Sequence, residues 1–314
     1  MTLRYGDRSQ EVRQLQRRLN IWAGANLYED GHFGAATEDA VRAFQRSHGL
    51  VADGIAGPKT LAALGGADCS HLLQNADLVA AGARLGLPLA TIYAVNQVES
   101  NGQGFLGNGK PAILFERHIM YRRLAAHDQV TADQLAAQFP ALVNPRPGGY
   151  AGGTAEHQRL ANARQIDDTA ALESASWGAF QIMGFHWQRL GYVSVQAFAE
   201  AMGRSESAQF EAFVRFIDTD PALHKALKAR KWADFARLYN GPDYKRNLYD
   251  LERMTKLSPT GCVAVVLPRD TPMEDCQKMA DALKHVMAVP PLVICGDVQS
   301  LDEAAMNAAG WYRK

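Results

Sequence analysis

Glu99 stands in the stretch YAVNQVESNGQGF (Tyr93 to Phe105), where an apolar helical pattern runs into Asn101-Gly102 and stops. Ile92, Val95 and Glu99 fall three or four residues apart, so the carboxyl extends the apolar stripe. A helix C-terminus carries partial negative charge and disfavours a carboxylate by roughly 0.3–1 kcal/mol. Desolvation by apolar neighbours acts in the same direction, and together they favour a protonated carboxyl near neutral pH. A proton held in this way is what a general acid requires. Taken alone, the same letters also describe an exposed glutamate beside a glycine stop.

A reaction that works with two carboxylates needs a second one as nucleophile or base. Glu116, in PAILFERH, follows an apolar run that reads as a strand or buried turn, and is expected to face a cleft or pair with Arg117. Asp167, Asp168 and Glu173 are weaker candidates, because QIDDTAALESAS reads as a helix start with acidic first-turn residues. In SWGAFQIMG, Gly178 permits close backbone approach and Gln181 offers an amide donor and acceptor. Trp177 and Phe180 there either stack on a ligand face or pack. Further on, LYNGP holds Tyr239 and Asn240, and a tyrosine closing a helix would also account for Tyr239. Metal chemistry is not expected: nine histidines include no HExxH and no paired ligand spacing, and there is no GxSxG elbow or phosphate loop. No cofactor is expected.

Several elements must position these groups. Residues 78–257 read as mostly helical, with LPLATIYAVNQVES starting at Pro88, where a missing amide proton costs nothing. Residues 1–66 contain an internal echo: DGHFGAAT (Asp30 to Thr37) and DGIAGPKT (Asp53 to Thr60) share Asp-Gly, a Gly three residues later and a Thr three beyond that. Each is read as a glycine turn followed by a threonine capping a short helix. Before them, Ser9 is a candidate cap for a helix with Val12, Leu15 and Leu19 on one stripe. The result is a three-helix module, followed by a turn-rich linker at 67–77. Residues 258–314 change character: GCVAVVLP and PPLVICGD read as buried strands, each followed by an amphipathic helix. The fold class expected is mainly α, with a small β-α-β-α extension of unassigned role.

A chain of 314 residues is long enough for two or three domains. Lys+Arg and Asp+Glu both number 33, which argues against nucleic acid or an acidic membrane surface as the main partner. MTLRYGDRSQ has no apolar core of the kind a secretory signal needs, and LVAAGARLGLPLATIYAV is interrupted by Arg84 and Pro88. Membrane insertion is therefore not expected. The four cysteines lack ligand spacing and are read as free thiols in a reducing compartment.

The segments LRYGDRSQEVRQLQRRLN, DGHFGAATEDAVRAFQ and GLVADGIAGPKTLAAL closely resemble the peptidoglycan-binding module of many cell-wall hydrolases. The order Glu-Ser, Gly-x-x-Gln-Ile, Tyr-Asn-Gly resembles the lysozyme-like fold of goose-type lysozymes and lytic transglycosylases. With NPRPGGYAGG and RLANARQIDDTAALESASWGAFQIMGFHW, the segment is similar to phage N-acetylmuramidase domains. The resemblance implies a modular phage endolysin with an α-rich domain split by a sugar-binding cleft. In it Glu99 would protonate the glycosidic oxygen between N-acetylmuramic acid and N-acetylglucosamine, with Glu116 as candidate second carboxylate. Ser100, Trp177, Gly178, Gln181, Tyr239 and Asn240 carry over as substrate-binding positions; Ser100 is equally read as a helix-end hydroxyl. One departure stands out: no aspartate follows soon after Glu99, which leaves open the single-acid chemistry of a lytic transglycosylase. An inactive wall-binding phage structural protein is the alternative of another class. The implied partner is bacterial peptidoglycan, reached by a monomer that stays in the host cytoplasm until holin-mediated release and then acts in the periplasm and wall.

Overall fold

The computed structural model describes residues 2–100 and 103–240, and two short strands at 264–267 and 292–295. The architecture is mainly α. The first module is built on α1 (Gln10–Ala23), α2 (Ala35–Ser47) and α3 (Pro58–Ala63). Ser9 caps α1 by accepting from the Val12 amide at 3.3 Å, and Gly24 ends it in the left-handed conformation. Val12, Leu15 and Leu19 are all buried, joined by Phe33, Val41, Phe44 and Leu64 in a compact core.

The sequence echo has a structural counterpart that differs from the expected one. Gly34 and Gly57 occupy the cap positions of α2 and α3, with no side-chain cap, so Thr37 and Thr60 do not cap these helices. Each threonine instead receives a buried glutamine. Gln16 Nε2 donates to Asp30, to the His32 carbonyl and to Thr37, while its Oε1 accepts from the Gly31 amide at 2.9 Å. Gln45 repeats this with Asp53, the Ile55 carbonyl, Thr60 and the Gly54 amide, again at 2.9 Å. Gly31 and Gly54 both hold positive φ, which no side-chain-bearing residue adopts cheaply. A buried amide with every polar atom engaged closes each turn.

The connection to the larger module is packed on both sides. Cys69 and Leu72 rest against the small core, whereas Leu73 is buried in the large one. A helix begins at Asn75, so it takes the last three residues expected in the linker.

The larger module opens with α4 (Asn75–Leu85) and α5 (Leu89–Glu99) and continues through β1 (Ile113–Phe115), α6 (Arg117–His127), α7 (Gln129–Gln138), α8 (Ala155–Arg164) and α9 (Asp168–Glu173). Strands β2 (Ala175–Trp177) and β3 (Ile182–Met183), a single 3-10 turn at Gly184–His186, and helices α10 (Val195–Arg204), α11 (Glu206–Asp218), α12 (Pro221–Lys228) and α13 (Trp232–Asn240) complete it. Helix α11 is its spine. Phe210, Ala212, Phe213, Val214, Phe216 and Ile217 are buried on one broad face, and Glu211, Arg215 and Asp218 lie half-exposed along the opposite stripe. The three strands form an antiparallel sheet in the order β1-β2-β3, pairing Ile113 with Trp177 and Trp177 with Ile182.

In the C-terminal segment, β4 (Ala264–Leu267) and β5 (Leu292–Cys295) pair in parallel, Ala264 opposite Leu292. The helices expected between and after them lie outside the described residues. Among the described residues, no single helix is long and apolar enough to cross a membrane; α4 and α5 are long enough only together and are bent by 115°.

Candidate active site

Glu99 is the last residue of α5, and Ser100 caps that helix, its amide donating to the Asn96 carbonyl at 3.1 Å. Both side chains are half-buried, while Ile92 and Val95 below them are buried. Beyond the cap the chain is gripped at Gly104. The Gly104 amide donates to Glu206 Oε1 at 2.9 Å. Its carbonyl accepts from the Ala112 amide at 2.9 Å and from Gln209 Nε2 at 3.1 Å. A Cβ at Gly104 would collide with Gln209 and Glu206.

The same Gln209 holds the turn between β2 and β3. Its Oε1 accepts from the Ala179 amide at 2.8 Å, and Gly178 packs so closely on it that a Cβ there would collide. Gly178 has φ +72°, so glycine is required twice over. Close approach at Gly178 is thus to the protein's own Gln209. The Gln181 amide group is engaged within the turn, donating to the Gly178 carbonyl at 2.8 Å and accepting from Ser176 at 2.7 Å. Trp177 is 5% exposed, its indole N–H directed to the Leu172 carbonyl and its ring edge-on to Phe198. Phe180 stacks on Phe213 with centroids 4.6 Å apart. Both rings pack in the core and present no face to a sugar.

Tyr239 approaches from α13. Its hydroxyl donates to the Phe180 carbonyl at 2.8 Å, and its ring lies parallel to Phe235 and edge-on to Phe213 and Phe216. Burial pushes the phenol well above its ordinary pKa, and the neighbouring charge of Glu99 pushes it further. Glu99 and Tyr239 are therefore electrostatic neighbours. Asn240 is the last residue of α13. The three separated segments thus meet: α5 with α13 through Glu99 and Tyr239, and α13 with the β2–β3 turn through Tyr239 and Phe180.

Of the two expectations for Glu116, a cleft-facing carboxyl or a pair with Arg117, the pair is not formed. Arg117 does not contact it; that guanidinium donates to the carbonyls of Pro140, Arg146 and Pro147 and braces a glycine-rich loop. Glu116, at the N-terminus of α6, accepts instead from the Tyr150 hydroxyl at 2.9 Å and lies 3.1 Å from His118 Nδ1, a buried nitrogen that makes no hydrogen bond among the described residues. Burial lowers the His118 pKa, partly offset by the Glu116 carboxylate. Tyr150 is raised by burial and by Glu116. Asp167 caps α9, Asp168 pairs with Arg164, and Glu173 takes Arg123 and the Trp187 indole, so each of these acids has a structural partner. Glu206, Gln209, Tyr150 and His118 were not singled out by sequence. Among the described residues, no three His, Cys, Asp or Glu side chains converge in a way that could hold a metal ion.

Comparison with known proteins converges on the same segments. A peptidoglycan binding domain model matches residues 8–64. The chain is 52% identical over 61 residues to a zinc D-Ala-D-Ala carboxypeptidase of Streptomyces albus G, covering 19% of this chain and 24% of that protein. It is 47% identical over 60 residues to the N-acetylmuramoyl-L-alanine amidase CwlM of Mycobacterium tuberculosis, covering 19% and 14%. The chain therefore spans a quarter or less of these curated relatives. The crystal structure of the Burkholderia AP3 phage endolysin superposes with a TM-score of 0.74 at 57% identity, covering 81% of this chain and 96% of that one. An N-acetylmuramidase family model matches residues 88–258, which is more than half of the chain. With a first module that matches peptidoglycan-binding domains, the chain belongs to the N-acetylmuramidase family.

Proposed function

We propose that this protein is an endolysin that binds peptidoglycan through its first module and hydrolyses the bond between N-acetylmuramic acid and N-acetylglucosamine through its second. The observation that carries this reading is the convergence of Glu99, Tyr239 and the Gly178–Gln181 turn at one place in the fold. Glu99 protonates the bridging oxygen as the sugar bond breaks, the role that general acid–base chemistry gives a carboxyl in a cleft. Ser100 and Gln181, both half-buried, are the substrate-binding groups of this scheme, with Asn240 assigned the same part from its place in the Tyr-Asn-Gly motif. Glu116, held by Tyr150 and close to His118, is the second carboxylate of this scheme. Release to the wall by a holin and action as a monomer belong to the same reading, supported by the likeness to a phage endolysin.

A lytic transglycosylase is the second reading, favoured by the stretch ESNGQGF, which places no further acid next to Glu99. Mass spectrometry of fragments released from purified walls decides between them: a reducing muramic end is expected, and an anhydromuramic end would overturn hydrolysis. Glu99→Gln is expected to abolish lysis while the protein still co-sediments with walls. Substantial residual lysis would remove Glu99 from the role of acid.

A further inference from the structure

Glu206 is a carboxylate only 3% exposed, at the start of α11, and it serves three separate segments. Its Oε2 accepts from the Lys59 ammonium of the first module at 2.6 Å and from the Leu73 amide of the connection at 3.1 Å. Its Oε1 accepts from Gly104, in the loop that leaves Glu99. One turn along α11, Gln209 holds the other side of Gly104 and also the Gly178 turn. We infer that Glu206 is a positioning residue for glycan cleavage, through which docking of the wall-binding module at Lys59 sets Gly104 and, with Gln209, the Gly178 turn on which Tyr239 rests.

The repeated turn of the first module makes Lys59 distinctive. Lys59 directly precedes Thr60, and the corresponding position before Thr37 is Ala36. Both turns close on a buried glutamine, so the lysine is not needed to build the module. It is, however, the cation that faces Glu206. A buried carboxylate deprived of its counter-charge recruits water, which weakens its charge-assisted bond to the Gly104 amide. Gly104 would then lose one of its anchors, and with it the seat that it shares with Gln209 and the Gly178 turn. A flexible tether predicts none of this, because tethering changes only local concentration.

The proposal rests on the functional reading above, and the test separates the two. The substrate is a soluble wall-glycan fragment too short to reach the first module, so tethering contributes nothing. With the full chain, Lys59→Met is expected to lower kcat about fivefold or more, with KM within about twofold, the lower end of coupling between distinct sites. Lys59→Arg restores the charge and is expected to retain kcat. Glu206→Gln is expected to match Lys59→Met, with circular dichroism confirming that each variant is folded at the assay temperature. If Glu206→Gln does not fold, the Lys59 pair alone carries the test. Undiminished kcat in Lys59→Met overturns the proposal, as does an equal loss in Lys59→Arg, which would point to packing rather than charge. Absence of turnover by the unaltered chain would overturn the functional reading and this proposal with it.

Discussion

The Tyr239 hydroxyl donates to the Phe180 carbonyl at 2.8 Å, joining the last turn of α13 to the turn between β2 and β3. This bond lies beside Glu99, whose charge acts on the same phenol. Tyr239→Phe keeps the ring contacts with Phe213, Phe216 and Phe235 and removes only the donor. Leaving a buried carbonyl unpaired costs about 1–3 kcal/mol. Urea denaturation is expected to show a loss in that range. Lysis of walls is expected to slow by about tenfold, since small misplacements of positioning groups are costly. Wild-type lysis with the full stability loss would restrict Tyr239 to a structural part.

Glu116→Gln preserves size and an acceptor for the Tyr150 hydroxyl, so the loop at Tyr150 should keep its place. Only the charge disappears. In the proposed scheme a water-activating carboxylate at Glu116 would supply about a hundredfold or more of the rate. Turbidity loss of a wall suspension is expected to fall by that factor, with the melting temperature almost unchanged. A wild-type rate would leave Glu99 as the sole acid of the reaction and shift the reading toward transglycosylation.

Gly178→Ala combines two faults, a positive φ and a collision with Gln209. The left-handed backbone alone costs roughly 1–2 kcal/mol for an L-residue. Total destabilisation is expected to exceed about 2 kcal/mol, read from chemical denaturation. Adding Gln209→Ala removes the collision but also the bonds from Gln209 to Gly104, Met202 and Ala179. The double variant should therefore stay destabilised while falling short of the sum of the two single effects. Strict additivity would show that the two residues do not share one constraint.

His186 is expected to govern part of the acid sensitivity. Burial between Phe185 and Phe216, aided by Arg189 and Arg123, lowers its pKa from 6.5 to about 4. Between those values the unfolded chain binds a proton that the folded chain refuses, so stability falls as pH drops from about 6.5 towards about 4. Below that window the folded state takes up the proton too and the loss levels off. Allowing for the ring's remaining solvent contact, the effect is on the order of 1–2 kcal/mol. In His186→Leu, the difference in melting temperature between pH 7 and pH 4.5 should shrink. An unchanged difference would place the acid sensitivity in other groups.

Periodicity made much of the helical framework legible. The stripe Val12-Leu15-Leu19 is buried as its spacing requires, and Glu99 ends a helix whose Ile92 and Val95 are buried. Partners distant in sequence were not legible. Gln16 reads as one more polar letter beside Leu15, and its burial follows only from Asp30 and Thr37 folding back on it. Thr37 and Thr60 resembled caps because local spacing could not reveal those glutamines. Glu206 and Gln209 were overlooked for a related reason: both lie on the buried face of α11, and the groups that satisfy them there, Lys59, Leu73, Gly104 and Ala179, are distant in sequence. Arg117 beside Glu116 looked like an ion pair, but adjacent residues on a helix do not face one another, and the carbonyls of the glycine-rich loop claim the guanidinium.

The joint between the modules bears on how such a molecule meets its target. Leu72 is seated in one core and its neighbour Leu73 in the other, so the backbone between them has no free arc through which to swing. A molecule articulated in this way works like a plane with a fixed blade. In the proposed function, once the first module has settled on the sacculus, the angle at which the second meets a strand would already be decided, and reaching a new bond would require the whole body to step along the mesh.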